Sequence, residues 1–262
     1  MTPTYLSFSQ INMYSRCGIQ YYFRYVEGIK IPPKSALVLG SAFHKAQEAE
    51  YKNKIEKGED LPIDEVLDVL SDNIERAFSD EVLLDEEEQS KGKEVVKATI
   101  KDNSTYMMKE YYEVVAKNTT PVAVEEQFIL TDNMIIPIIG YIDLITSEGV
   151  VVDTKTASRT PARDEADKSQ QLTIYALGHL AYYGHLPLKL RLDYVVKPKN
   201  NKSHIVSLET TRSNEQIARL ERRIRRVVDG INKGVFIPPD QGSWACQYCG
   251  YRDMGICNEY II

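Results

Sequence analysis

Over the first 120 residues the apolar positions recur every three or four residues; from Pro121 onward they alternate or run together, the pattern of a change from helix to strand. Ser7 followed by Gln10 makes a capping box ahead of a short helix over about Phe8 to Arg16, which Gly18 can close. The aromatic run YYFRYV packs a second short helix onto the core, and after the loop IKIPPKS residues 36–57 read as a helix ended by Gly58. Leu61 to about Lys117 keeps the helical period through Val66, Leu67, Leu70, Ile74 and Phe78, and again through Val95, Ile100, Tyr106, Met107 and Tyr111. The acidic stretch DEEEQSKGK breaks it into two helices. Strands are predicted at PVAVEEQFIL, MIIPIIGYIDLIT and GVVVDTKTA, then a helix from about Lys168 to Tyr183 and strands at KLRLDYVVK and SHIVSLET. A long helix from Arg212 to Lys233 follows, with Ile217, Leu220, Ile224, Val227, Val228 and Ile231 on one face. This order predicts an α/β fold of helices flanking a central mixed sheet, with a helical insertion over about 58–118 and a Cys-rich tail over about 240–262.

Two apolar runs, Tyr141 to Thr146 and Val150 to Lys155, flank the turn SEG and form a hairpin, yet each carries a carboxylate where another Val or Ile belongs. Burying Asp143 and Asp153 unpaired costs several kcal/mol each, roughly, so the two must share a cation or a charged partner. Lys155 is one candidate partner and a metal ion is the other.

Composition narrows the function classes. The chain has 262 residues, enough for one large domain or two small ones, and a net charge of −6, which excludes a purely electrostatic nucleic-acid binder while leaving room for a local basic groove. Arg219, Arg222, Arg223 and Arg226 fall opposite the apolar stripe of their helix, as a solvated face or as a surface for a phosphate backbone. No apolar run approaches the roughly 20 residues of a membrane span, and MTPTYLSFSQ has no charged segment leading into an apolar one. The expectation is a cytoplasmic protein with no membrane partner. Three of the four cysteines, Cys246, Cys249 and Cys257, cluster in the tail and Cys17 stands near the start. In a reducing compartment that clustering points to a metal or metal cluster rather than disulfides.

Gly40 precedes His44 by four residues in LVLGSAFHKAQE, and Gln171 precedes Tyr175 by four in QQLTIYALGHL. Alone, each is equally the mark of a packed helix. In order, however, the chain reads Cys17, GxxxH, GxxD, DxK, QxxxY and a three-cysteine tail, which resembles the PD-(D/E)XK nuclease superfamily. Within it the chain looks like the RecB-like branch that includes the CRISPR-associated exonucleases and the nuclease domain of AddB. The opening SFSQINMYSRCGIQYYFRYV is similar to that branch's start, with Gly18 where proline is more usual. The resemblance spans nearly the whole chain.

It implies a single domain with a restriction-endonuclease-like sheet and a metal-dependent deoxyribonuclease activity, as an exonuclease on single-stranded DNA or DNA ends. Asp143, Asp153, the backbone carbonyl of Thr154 and His44 would then hold magnesium or manganese, and an imidazole ligand tilts the preference toward manganese. Lys155 would orient or deprotonate the attacking water, with Gln171 and Tyr175 pointing toward it and the scissile phosphate. Glu125 or Glu126 would add an outer carboxylate; strand alternation puts Glu126 on the face of Val124 and Phe128 and leaves the choice open. The resemblance also implies that Cys17, Cys246, Cys249 and Cys257 hold a 4Fe-4S cluster joining the chain's two ends; zinc, which also favours tetrahedral sulfur, is the alternative. Trp244 and Tyr248 could stack on bases or shield that cluster. DNA repair, recombination, phage DNA processing and CRISPR adaptation all use such chains. With no GxxxxGK[ST] loop here, ATP-driven unwinding would come from a helicase partner. A subunit that binds or assembles on nucleic acid without cutting it is the alternative function.

Overall fold

A computed structural model of the chain describes residues 3–131, 136–200, 202–240 and 242–257. Its helices are α1 (Phe8–Arg16), α2 (Gly18–Tyr21), α3 (Ser35–Lys57), α4 (Ile63–Ser79), α5 (Glu86–Lys91), α6 (Lys93–Val114), α7 (Glu165–Lys168), α8 (Gln170–Tyr183), α9 (Asn214–Asn232), α10 (Trp244–Gln247) and α11 (Gly250–Asp253). Its strands are β1 (Pro121–Leu130), β2 (Ile138–Thr146), β3 (Val150–Ala157), β4 (Lys189–Lys199) and β5 (Lys202–Thr210). They form one sheet in the order β1-β2-β3-β4-β5, antiparallel between β2 and β3 and between β4 and β5, parallel between β3 and β4. The predicted mixed sheet flanked by helices is therefore the observed one. Met134 and Ile135, at the predicted start of the second strand, and the last residues of the Cys-rich tail lie outside the described residues.

The chain divides into two compact units: the first holds 1–31, 127–140 and 213–262, the second 32–126 and 141–212. In the second, Val38, Phe43 and Ala46 of α3, Val66, Leu70 and Ile74 of α4, and Met107 and Tyr111 of α6 share one core with Leu144, Val152 and Val195 of the sheet. β3 lies in the middle of the sheet, which is why its valines are unbroken by polar residues. Gly58 and Gly184 end α3 and α8 in the left-handed conformation (φ +74° and +78°).

Three predicted boundaries are corrected. The acidic stretch does not break a helix; it makes one. The Asp85 carboxylate accepts from the Glu88 N–H (2.9 Å), the Glu88 side chain returns to the Asp85 N–H (3.1 Å), and three glutamates in the first turn suit the helix dipole. The breaks fall instead at extended Asp80 and at Gly92 (φ +86°), so the region holds three α-helices. The helix expected from Lys168 is interrupted at Ser169, whose hydroxyl caps α8 by accepting from the Leu172 N–H (3.2 Å).

Gly18 does not close α1. Cys17 leaves the helix in an extended conformation, and buried Gly18 opens α2 while donating to the Ile237 carbonyl (2.9 Å). A Cβ on Gly18 would lie 2.5 Å from the Ile237 nitrogen, a backbone atom that cannot swing aside. Gly18→Ala is expected to destabilise the protein by about 1–3 kcal/mol, as overpacking does. Urea denaturation of the full chain checks this, and an unchanged midpoint would refute the close approach.

Candidate active site

All the candidate catalytic residues lie in the second unit. The hairpin register, Leu144 opposite Val152, carries Asp143 to the position facing Asp153. Period-two alternation puts Asp153 and Lys155 on one face of β3. α8 presents Gln171 and Tyr175 one turn apart, and α3 contributes His44.

These side chains form a continuous polar relay. Lys155 Nζ donates to Asp153 Oδ1 (2.9 Å) and Gln171 Oε1 (2.7 Å), Gln171 Nε2 donates to the Tyr175 hydroxyl (2.9 Å), and Tyr175 donates to Asp143 Oδ1 (2.7 Å). The relay uses one oxygen of each aspartate. The other oxygens, Asp143 Oδ2 and Asp153 Oδ2, are buried without a hydrogen-bond partner. Lys155 thus pairs with Asp153 through one oxygen, and Asp153 Oδ2 is left without a hydrogen-bond partner.

Electrostatics agree with a site that lacks positive charge. Burial pushes the Asp153 carboxyl up to about 7; Lys155 pulls it down and Asp143 raises it again. Burial raises Glu125 to about 7 as well, reinforced by Asp143 and Glu48. The Tyr175 hydroxyl is held well above its ordinary value, first by burial and then by the two aspartates, so it stays a proton donor. Burial lowers the His44 imidazole despite Asp143, whose Oδ2 lies 3.4 Å from Nδ1, and the imidazole also meets the Thr154 backbone carbonyl.

Of the two outer glutamates, Glu125 is the one drawn in. Ligand atoms of His44, Glu125 and Asp143 all lie within 4.8 Å of one another, a group that could hold a metal ion. Glu125 sits at φ +49° inside β1, where a non-glycine residue is uncommon. Carboxylate, carbonyl and imidazole donors with unpaired buried oxygens fit a hard divalent cation, the kind of ion PD-(D/E)XK nucleases use.

Sequence reasoning missed Gln47. Buried on α3 one turn beyond His44, it donates from Nε2 to Thr154 Oγ1 (2.9 Å) and to the Tyr111 hydroxyl (2.6 Å), and Tyr111 meets the Tyr51 hydroxyl (2.8 Å). The contact ties α3 to β3 at the residue whose carbonyl faces His44. A polar residue at a core position of a helix was the only signal available.

The cysteines and the arginine helix belong to the first unit. All four thiols are free. Cys17, Cys249 and Cys257 pack in one small core with Ile19, Phe23 and Tyr251. Burial pushes the Cys257 thiol up to about 11, with Cys249, Cys17 and Cys246 adding to it, and Cys17 is raised by burial and by Cys249 and Cys246. The set is thus gathered from both ends of the sequence. Arg219 is exposed and pairs with Glu215 (3.6 Å), Arg222 is exposed, and Arg223 and Arg226 line a cleft. Trp244 and Tyr248 are largely exposed.

Among solved structures, a Eubacterium rectale protein described as a candidate exonuclease has a similar fold, with a TM-score of 0.56 and 12% identity over 96% of this chain and 88% of its own. The protein SSO0001 aligns at a TM-score of 0.35 and 13% identity over 94% of this chain and 93% of its own, too low a score to bear on the fold. No curated protein gives a significant match. A family model for the PD-(D/E)XK nuclease superfamily matches residues 5–258. That match spans the hairpin, the DxK strand, the α8 relay and the cysteines alike, and by it the chain belongs to the PD-(D/E)XK nuclease superfamily.

Proposed function

We propose that this chain is a metal-dependent DNA exonuclease of the RecB-like branch, hydrolysing phosphodiester bonds in single-stranded DNA or at DNA ends. The relay from Asp153 through Lys155, Gln171 and Tyr175 to Asp143, with Asp153 Oδ2 buried and unpartnered and Asp143 Oδ2 met by His44 Nδ1 at 3.4 Å, carries this reading. The fold shared with a protein described as a candidate exonuclease supports it.

Asp143, Asp153, His44 and the Thr154 carbonyl would hold magnesium or manganese, with Glu125 as outer carboxylate; when bound, such an ion polarises the phosphate and lowers the pKa of the attacking water. Lys155, about one-third exposed at the rim, orients that water and offsets phosphate charge. Gln171 fixes the Lys155 ammonium, and Tyr175 keeps its proton on Oη and so turns Asp143 Oδ2 away from itself, toward the ion site. The four cysteines hold a 4Fe-4S cluster in this reading, with zinc as the other four-thiolate occupant. The Cys17 and Cys257 thiols, raised by burial and by their sulfur neighbours, are in the state expected of such a site without its cation.

Single-stranded DNA labelled at either end, incubated with manganese, magnesium or chelator, is expected to shorten only with metal, from the end that defines polarity. Binding without cleavage under both metals would overturn the nuclease in favour of a non-cleaving nucleic-acid-binding subunit.

A further inference from the structure

Of the four arginines on one side of α9, two face a cleft that contains none of the candidate catalytic residues. The cleft has a volume of about 850 Å³ and is lined by Tyr14, Arg16, Cys17, Arg223, Arg226 and Ser243 among others, all in the first unit. That volume falls in the range of about 300–1,000 Å³ typical of ligand sites. Three arginines from two helices thus line one space, and among the described residues the one carboxylate along its wall is Asp240. Among the described residues, ion pairs on this helix go to Arg219 and Arg225, while Arg223 and Arg226 have none. On a chain of net charge −6, carboxylates are plentiful, so an unneutralised set of this kind has an electrostatic cost that an anion removes.

Arg16 sharpens the chemistry. Its Nη2 donates to Gln20 Oε1, its Nε is buried with no hydrogen-bond partner, and its guanidinium carbon lies 5.9 Å from the centre of the Trp244 ring. Trp244 is 63% exposed, so a cation is packed on an indole whose remaining surface is open to solvent. A flat aromatic beside one held guanidinium, with two more arginines along the adjoining cleft, is a combination that binds unpaired bases together with their phosphates. Arg223 and Arg226 stand three residues apart, about 4.5 Å along the helix axis, on one side of the helix.

We propose that this cleft, together with Trp244 where that ring meets Arg16, is a binding site for single-stranded nucleic acid, in which Arg16, Arg223 and Arg226 hold phosphates and Trp244 stacks on a base. The proposal rests on the nuclease reading for its choice of ligand, and it divides the arginine face: Arg223 and Arg226 bind, while Arg219 and Arg222 are solvated.

The test is fluorescence anisotropy of a labelled oligothymidylate with the full chain in chelator, where cleavage cannot intervene. Arg223→Ala/Arg226→Ala is expected to weaken binding at least tenfold and to make the plot of log affinity against log salt shallower by about 1.4, two phosphates at about 0.7 each for single strands. Trp244→Ala should weaken binding about fivefold or more without changing that slope, since stacking carries no counterions. Arg219→Ala/Arg222→Ala, on the same helix, should change affinity less than twofold. Equal losses from both arginine pairs, or no loss from Arg223→Ala/Arg226→Ala in protein whose melting curve is unchanged, would overturn the cleft. Displacement of the oligonucleotide by equimolar inorganic phosphate, with Trp244→Ala silent, would instead make it a site for a free anion and overturn the nucleic-acid assignment. Wild-type protein that binds the oligonucleotide through the cleft yet cuts nothing with manganese would sink the nuclease reading alone.

Discussion

Asp153→Asn is expected to lower metal-dependent cleavage of DNA by at least about 10³-fold while making the metal-free protein more stable near neutral pH. The two effects have one cause. A carboxylate at 0% exposure, beside Asp143 and with one oxygen unpaired, is costly in the absence of a cation and useful in its presence. The sign follows from linkage. Asp153 and Glu125 both rise to about 7 in the folded chain, from about 4 when unfolded, so between these values the native state holds the extra protons. Their contribution to stability is fully present below pH 4 and is lost as pH rises through 7. Asparagine keeps the shape and removes the charge, so the Asp153 part of that slope should vanish in thermal melts from pH 5 to 8. Manganese should raise the wild-type melting temperature more at pH 8 than at pH 5, and should do little for the variant. A variant that cuts normally, or melts with the wild-type pH slope, would remove Asp153 from the site.

Lys155→Ala is expected to slow cleavage by about 10²–10³-fold, the range for removing one positioned charge from developing negative charge. Lys155 is the ammonium within hydrogen-bonding reach of Asp153 and is held from the other side by Gln171. Its loss leaves Asp153 with both oxygens unpaired and frees Gln171 to turn. Because Lys155 lowers the Asp153 carboxyl, its removal should also shift the acidic limb of the pH–rate profile to higher pH. Lys155→Arg should rescue little, since a planar guanidinium cannot donate to both partners from the position of Nζ. Single-turnover rates at saturating manganese separate this loss from weakened metal binding; a rate within twofold of wild type would assign Lys155 a structural role only.

How much of this was legible depended on whether local sequence carries the determinant. The hairpin and its aspartates stood out because a charge inside an unbroken valine run conflicts with burial, and Gln171 and Tyr175 are joined by helical spacing alone. Glu125 was not legible. Burial in β1 falls on Pro121 and Ala123 before it and on Phe128 and Leu130 after it, so the alternation changes phase in the middle of the strand. The positive φ at Glu125 marks that change, as a bulge does, and strict alternation had grouped Glu126 with Val124 and Phe128. Gln47 and Tyr111 were hidden for a related reason: Gln47 drew no reading of its own, Tyr111 read as a periodic core aromatic, and only packing of α3 and α6 on the sheet joins them to Thr154. The arginines of α9 show the same limit. Helical period places all four on one side, and only the lining of the cleft, which includes Arg16 of α1, divides them.

The interleaving of the two units bears on how the chain is made. The second unit draws on segments ending at residue 212, whereas the first needs residues 1–31 and 127–140 together with 213–262. On a ribosome adding about 5–20 residues per second, the carboxylate relay is complete in sequence some seconds before Cys246, Cys249 and Cys257 exist. The aromatic run behind Cys17 is likewise complete before Phe236 and Tyr251, the rings that Tyr21, Tyr22 and Phe23 pack against, exist. A chaperone that covers these rings during synthesis would shield apolar surface until the partners that bury it have been made.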